Sequence, residues 1–321
     1  ALKVHSGRFL VDRLRFRRLR LCCNHHASDR PRWRTASGER SGQWTPSADG
    51  LRLVTPEGVN LDALQQHHTT VTRIRISHTT VYHYRNAVRL SPHRLMLRPR
   101  ESRELQLMSH DLTVSPEATI SWAHDVSGNA VATASFDGET DVLRIESKVE
   151  LALAGNPWPI FNIAATAHHF PFFYSNDDRA DLGALAIQQY LDPMGRLQKW
   201  ARSFVRGAAP DTLELLKAIS HGVSEALQYE VRESEGTQTP IESLDRGRGS
   251  CRDFAILFAE AVRSLDMGAR IVSGYLYDPQ NTATGSSGTG STHAWAEVYV
   301  PGAGWINFDP TNRSIGGFNL V

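Results

Sequence analysis

From residue 71 to residue 153 apolar and polar positions alternate in five runs: Thr72–Tyr84, Gln106–Val114, Thr119–Asp125, Ala130–Phe136 and Val142–Leu153. Ser-Pro, Ser-Gly-Asn and Asp-Gly breaks separate them. Period-two alternation bounded by turn residues predicts half-buried strands, so this stretch reads as an antiparallel β domain. The pattern then changes. Gly155 to about Pro193 is an irregular crossing with prolines and aromatics, and helices are predicted near Arg196–Arg206 and Thr212–Leu227, the segment Ile219–Tyr229 being amphipathic. After Gly247-Arg248-Gly249, which no regular helix accommodates, Phe254, Ile256, Leu257, Phe258, Ala261, Val262 and Leu265 form the broad stripe of a helix buried on most sides. His293–Val300 is β-branched and aromatic and predicts a strand. Pro301–Gly304 predicts a turn and Trp305–Phe308 a second strand, antiparallel to the first.

Residues 1–70 hold no sustained apolar period. The first 50 residues carry eleven Lys/Arg against four Asp/Glu; with a whole-chain net charge of +1, the remainder is at −6. The basic character therefore belongs to the leading segment. Its residues 8–21 have the make-up of a cationic amphipathic helix, which invites membrane-surface, nucleic-acid or transit-peptide readings. The apolar run is too short for a signal core or a membrane span. Cys22-Cys23 with His25-His26 are metal-ligand types, but adjacent ligands without a second matched pair make a poor zinc site. The mixed Arg, Ser, Gly, Pro and Trp composition of residues 24–70 and the position of the first Met at Met96 are what translated upstream sequence looks like, with Val71 as a GTG-type start. Residues 1–70 are expected to be a disordered or non-native extension.

The candidate chemistry lies in the last third of the chain. Ser250, followed three positions later by Asp253, approximates the N-cap signature, and Cys251 falls on the first turn of the helix so marked. Free backbone N–H groups and the positive end of the helix dipole stabilise a thiolate there, and one such N–H can face an oxyanion. A small buried hydrophobe is the competing reading for a lone cysteine. Its partners weigh against that. His293 heads one strand and Asp309 lies just past the end of the next, positions that come side by side in an antiparallel hairpin. An Asp accepting from one ring nitrogen fixes the tautomer that turns the other toward a thiol. Cys251, His293 and Asp309 are thus candidates for nucleophile, base and orienting group. Asp253 is read as a capping residue before a holder of substrate amine. Trp295 and Trp305 are read as core before cleft lining. The Gly/Ser/Thr-rich segment 278–290 is read as a solvated loop before a lid over the cleft.

The motifs Gly-Ser-Cys-Arg-Asp-Phe-Ala, Ser-Gly-Tyr-Leu (273–276), Thr-His-Ala-Trp-Ala-Glu-Val-Tyr-Val and Gly-Trp-Ile-Asn-Phe-Asp-Pro-Thr-Asn closely resemble those of the bacterial transglutaminase-like family, and the resemblance covers roughly residues 71–321. It implies an α+β fold, a papain-like core with the cysteine at a helix N-terminus packed on an antiparallel sheet carrying His and Asp, behind an antiparallel β domain. By position the family's catalytic residues fall on Cys251, His293 and Asp309, and the aromatic before the cysteine loop falls on Tyr229. Tyr229 or Gln228 is a candidate to line the site or its oxyanion hole, with a structural role as the alternative. The expected organisation is 1–70 extension, 71–155 β domain, 156–195 connecting segment and 196–321 catalytic domain, shortened at its C-terminus relative to relatives. The reaction expected is thiol-dependent acyl transfer on a peptide or protein amide through a thioester, with neither cofactor nor metal. Hydrolysis is favoured over cross-linking because no acidic cluster like the calcium sites of animal transglutaminases stands in the sequence. A non-catalytic peptide-binding or scaffold module of the same fold is the alternative. No nucleic-acid partner is expected for the folded domains, and no membrane association. With Cys22 and Cys23 in the extension, Cys251 is the one thiol from residue 71 onward, which fits a reducing cytoplasm.

Overall fold

In the computed structural model, which describes residues 2–5, 9–10, 71–154, 159–231, 236–277 and 291–321, the chain first builds two β-sheets. Two short strands, β1 (Leu2–His5) and β2 (Phe9–Leu10), run parallel to the long β3 (Thr72–Arg89). They are followed by β4 (His93–Leu95), β5 (Leu105–Ser115), β6 (Ala118–His124), β7 (Ala130–Phe136) and β8 (Glu139–Leu153). One sheet has the order β1-β3-β8-β5 with β2 also on β3, and the other the order β4-β7-β6. All five expected strands are present. The extension departs from expectation at β1 and β2, where β3 would otherwise present an open edge able to pair with any extended segment. Residues 11–21 of the basic stretch, the Cys22-Cys23 and His25-His26 group, and segment 278–290 lie outside the described residues.

Alternation does the packing. Along β8, Leu143, Ile145, Ser147, Val149, Leu151 and Leu153 are all buried. The first two pack with Leu90, Leu95, Ala132 and Ala134 between the sheets. The last three join Ile74, Ile76 and Leu105 in a cluster that also takes in Tyr275, Tyr277 and Val321 from the end of the chain. A hydrogen bond of 3.1 Å between the Tyr275 hydroxyl and His78 Nδ1 sits in that contact.

The crossing is more ordered than its composition suggests. It contains α1 (Asn176–Leu182), whose N-cap Ser175 accepts a hydrogen bond from the Asp178 N–H. Then come α2 (Arg196–Arg202), α3 (Thr212–Ala226), β9 (Gln228–Tyr229), α4 (Pro240–Arg246), β10 (Arg248–Gly249) and α5 (Cys251–Arg263). The chain closes with β11 (Ala269–Leu276), β12 (Ser291–Val300), β13 (Gly304–Asp309) and β14 (Ser314–Ile315), an antiparallel sheet in that order. Residues 319–321 add to its outer edge, with Tyr275 N–H donating to the Val321 carbonyl at 2.7 Å and Val321 N–H to the Tyr275 carbonyl at 2.9 Å. No described helix is long and apolar enough to cross a membrane.

α5 lies at the centre. Phe254, Leu257, Phe258, Ala261 and Val262 pack against Ala296, Val298 and Val300 of β12, Ile306 and Phe308 of β13, and Leu216, Ile219 and Val223 of α3. Its charged residues are buried too. Glu260 is 1% exposed; its Oε2 accepts from the Gln189 N–H (2.9 Å) and the Tyr190 N–H (3.2 Å), and its Oε1 from Arg263 at 2.5 Å. Arg263 in turn donates to the carbonyls of Leu185 and Ala269 at 3.1 and 2.7 Å. The pair thus ties the crossing segment to the far end of the helix.

Removing one member of a buried ion pair leaves an uncompensated charge, so Glu260→Ala is expected to cost about 3–5 kcal/mol of stability. Replacing both Glu260 and Arg263 by Met should cost less than that single change. Urea unfolding midpoints at unchanged slope measure both, and a Glu260→Ala midpoint equal to wild type would show the pair to be energetically idle.

Candidate active site

The start of α5 is set by a carboxylate. Asp253 is fully buried; its Oδ2 accepts from the Ser250 N–H and hydroxyl, each at 2.8 Å, and its Oδ1 from the Gln238 N–H at 2.7 Å. This is the capping role, and it leaves Asp253 no face toward solvent. The same carboxylate explains the residue before the cap: a Cβ on Gly249 would stand 2.8 Å from Asp253 Cβ, so only glycine lets the chain pass. β10 then pairs in parallel with β9, setting Gly249 beside Tyr229.

Cys251 is a free, half-buried thiol on the first turn. His293, 4% exposed, comes from the third position of β12, and Asp309, 1% exposed, is the last residue of β13. His293 Nε2 bonds Asp309 Oδ2 at 2.7 Å, which leaves Nδ1 for the hydrogen bond that joins the ring to Cys251. All three residues singled out from the sequence are therefore in one place.

The electrostatics favour an ion pair. Burial draws the Cys251 thiol upward, but the hydrogen bond and charge of His293, helped by the N–H groups of Ala294 and Arg252, outweigh it and hold the thiol below its ordinary value. Burial disfavours the imidazolium, yet the bonds to Asp309 and Cys251 overcome it and push His293 up to about 9. Both shifts run in the direction of a thiolate beside an imidazolium. Tyr229 adjoins it: its hydroxyl is held in the protonated form first by burial and then by the charge of Cys251. Gln228 lies exposed on the same two-residue strand.

Residues 74–152 match the bacterial transglutaminase-like N-terminal region, and residues 198–310 match the transglutaminase-like superfamily. Together the two matches take in more than half of the chain. The chain belongs to the transglutaminase-like superfamily. An uncharacterized protein of Mycobacterium tuberculosis is 27% identical over 261 residues, 76% of this chain and 80% of that protein. An uncharacterized protein of Mycobacterium leprae is 39% identical over 72 residues, 22% of this chain, and the alignment spans a quarter of that relative's length. Among solved structures, a protein of Cytophaga hutchinsonii described as a candidate cysteine protease superposes with a TM-score of 0.57 at 17% identity, over 78% of this chain and 82% of that one. At that identity the likeness speaks to fold.

The transglutaminase-like core also shows what the spacing of three residues leaves out. Trp295 is 4% exposed and belongs to the core as expected, but it stacks on the His293 ring, centroids 6.3 Å apart and planes at 22°, while its indole N–H donates to Asn307 Oδ1 at 2.8 Å. Trp305 lies between Tyr299 and the Arg270 guanidinium, 4.2 Å from its ring centroid, away from the thiol's partners. Asn312, part of the Asp-Pro-Thr-Asn motif, donates to Asp309 Oδ2 at 2.7 Å. Its signal was its place three residues after Asp309, where a turn brings the chain back. Among the described residues no group of three or more His, Cys, Asp or Glu has the arrangement of a metal site.

Alkylation of Cys251 by iodoacetamide should proceed well below the free-cysteine pKa of about 8.5. In His293→Ala the main lowering partner is gone and burial remains, so the thiol should titrate higher than in wild type and the rate at pH 7 fall by about tenfold or more. Rates against pH, read by mass spectrometry at Cys251, check this. Identical pH profiles for the two proteins would dissociate the thiol from the ring.

Proposed function

We propose that this protein is a cysteine-dependent acyl-transfer enzyme acting on a peptide or protein amide, with water as the favoured acceptor. The observation that carries the reading is the Cys251–His293–Asp309 hydrogen-bonded chain at the start of a buried helix. The Cys251 thiolate attacks the amide carbonyl carbon, and the negative charge moves to the carbonyl oxygen. The backbone N–H of Cys251, at a helix position with no intrahelical acceptor, meets that oxygen, and the Tyr229 hydroxyl is the second donor. The C–N bond then breaks as the His293 imidazolium gives its proton to the leaving amine. A thioester remains. The neutral ring next takes a proton from water, whose oxygen attacks the thioester; the C–S bond breaks, releasing a carboxylic acid and leaving the Cys251 thiolate beside the His293 imidazolium. Asp309 holds the ring in the tautomer each step needs.

Water is favoured because the thiol is only half buried, so the thioester stands open to the most abundant acceptor. A primary amine in its place would give a transamidation. With no second cysteine from residue 71 onward, nothing in this part of the chain requires an oxidising compartment, and we place the protein in the cytoplasm.

Turnover of a Cys251-dependent amide substrate should drop by about 10²–10⁴ in His293→Ala, as for loss of a general base. Asp309→Asn should also fall steeply, and Cys251→Ala combined with either should be no worse than Cys251→Ala alone, because the residues act as one unit. Activity should form a bell in pH: on the acid side it is lost as the thiolate takes a proton, and on the alkaline side as pH rises through about 9 and His293 loses the proton destined for the leaving amine. Assays with and without added amine read the acceptor. Turnover of His293→Ala within about threefold of wild type would place the base elsewhere.

A further inference from the structure

The Asp309 carboxylate is held by more than His293. Its Oδ1 accepts from the backbone N–H groups of Thr311 and Asn312 at 3.1 and 3.3 Å, and its Oδ2 accepts from His293 Nε2 and Asn312 Nδ2, both at 2.7 Å. Asn312 Nδ2 stands 3.4 Å from His293 Nε2, so the two donors converge on one oxygen. The orientation of the amide follows from this. The reverse orientation would set the amide oxygen 2.7 Å from a carboxylate oxygen, two acceptors in contact.

We propose that Asn312 is a positioning residue for the thiol–imidazole pair: by donating to Asp309 Oδ2 it fixes the plane of the carboxylate and limits how strongly that oxygen draws on His293. This rests on the acyl-transfer reading for its functional meaning, and on the hydrogen bonds alone for its physical content. A carboxylate that shares one oxygen between two donors is a weaker base toward each. The ring must carry a proton to stabilise the thiolate yet give it up to the leaving amine. Without Asn312 the Asp309 oxygen belongs to His293 alone, so the imidazolium is held more tightly, and the carboxylate loses one of the four contacts that aim it. The titratable groups that bear on the ring are Asp309 from β13 and Cys251 from α5, with Tyr229 from β9 facing the thiol. All three stay in place when Asn312 changes. The short contact of the Asn312 amide is with Asp309 Oδ2, at 2.7 Å against 3.4 Å to His293 Nε2, so its effect passes chiefly through the carboxylate.

The experiment uses the full chain with Asn312→Ala and Asn312→Leu, the second keeping the same branching of side-chain heavy atoms without a donor. The His293 ring is followed by NMR against pH, which needs no substrate. Both variants should move its titration upward by about half a unit or more. In the amide assay kcat should fall by about tenfold, the order of one hydrogen bond to a charged group, with KM little changed. A titration that stays at the wild-type position in a folded variant, with only the melting temperature lowered, overturns the proposal and leaves Asn312 a structural residue. If wild type turns over no amide but the titration shifts as stated, the positioning role stands and the acyl-transfer reading fails. If Asn312→Ala does not fold, Asn312→Leu decides on the same titration.

Discussion

A helix buried on nearly every side has to find internal partners for each polar group it carries, and the placement of α5 depends on meeting that demand at both ends. At the start, the Asp253 carboxylate takes three hydrogen bonds, two from Ser250 and one from the loop at Gln238. Toward the end, Glu260 and Arg263 take up the crossing segment and the start of β11. An unpartnered charge in either place would cost several kcal/mol, on the order of the net stability of a whole domain. The helix therefore cannot slide or rotate without breaking one set. That constraint places Cys251, half-buried on the first turn of the helix, where the strands can reach it.

The strands supply the complement. Adjacent strands in an antiparallel sheet are locked by their ladder, and β12 is bonded along residues 291–298 to β11 and along residues 296–300 to β13. His293 is held by the β11 ladder, opposite Gly274, and its ring is further fixed by Trp295 on one side and Asp309 on the other. Catalytic groups held by helices and strands keep their geometry better than groups on loops. In this site the helix carries Cys251 and the strands carry His293 and Asp309. The two are brought together by burial of α5 against the sheet.

Much of this was legible in the sequence for physical reasons that can be named. Alternation marked β5 to β8, because one face of each turns toward the core and a slip of one residue would turn it to solvent. The cap before Cys251 and the hairpin after His293 are local signals that fold as they read. Three features escaped. Helix α4 carries a full start and stop signature, with a Thr239 and Glu242 capping box, Pro240 at the first turn and Gly247 at φ 62°, but at seven residues it shows too little apolar period to stand out. The bond from Asn312 to Asp309 is local, three residues apart in a turn, but no apolar period marks it, whereas the bond from Tyr275 to His78 is set by tertiary approach across 197 positions and no local pattern encodes it. The ion pair of Glu260 with Arg263 reads on its own as a solvated i,i+3 pair, and only the segment that covers it makes it internal.

The β part reaches the site through β11. Gly274 sits opposite His293 in the ladder, and the next residue, Tyr275, packs its ring into the cluster of Ile74, Ile76, Val149 and Leu151 while its hydroxyl meets His78. A Cβ on Gly274 would stand 2.0 Å from the Val321 carbonyl oxygen and 2.9 Å from Trp295, the residue stacked on the His293 ring. Glycine is therefore what lets residues 319–321 close the outer edge of β11 while Trp295 keeps its place under the ring. The contact between the two parts bears on the same short stretch of sheet that aims the imidazole. A β part packed there does more than precede the core: it fixes the strand whose neighbour carries His293.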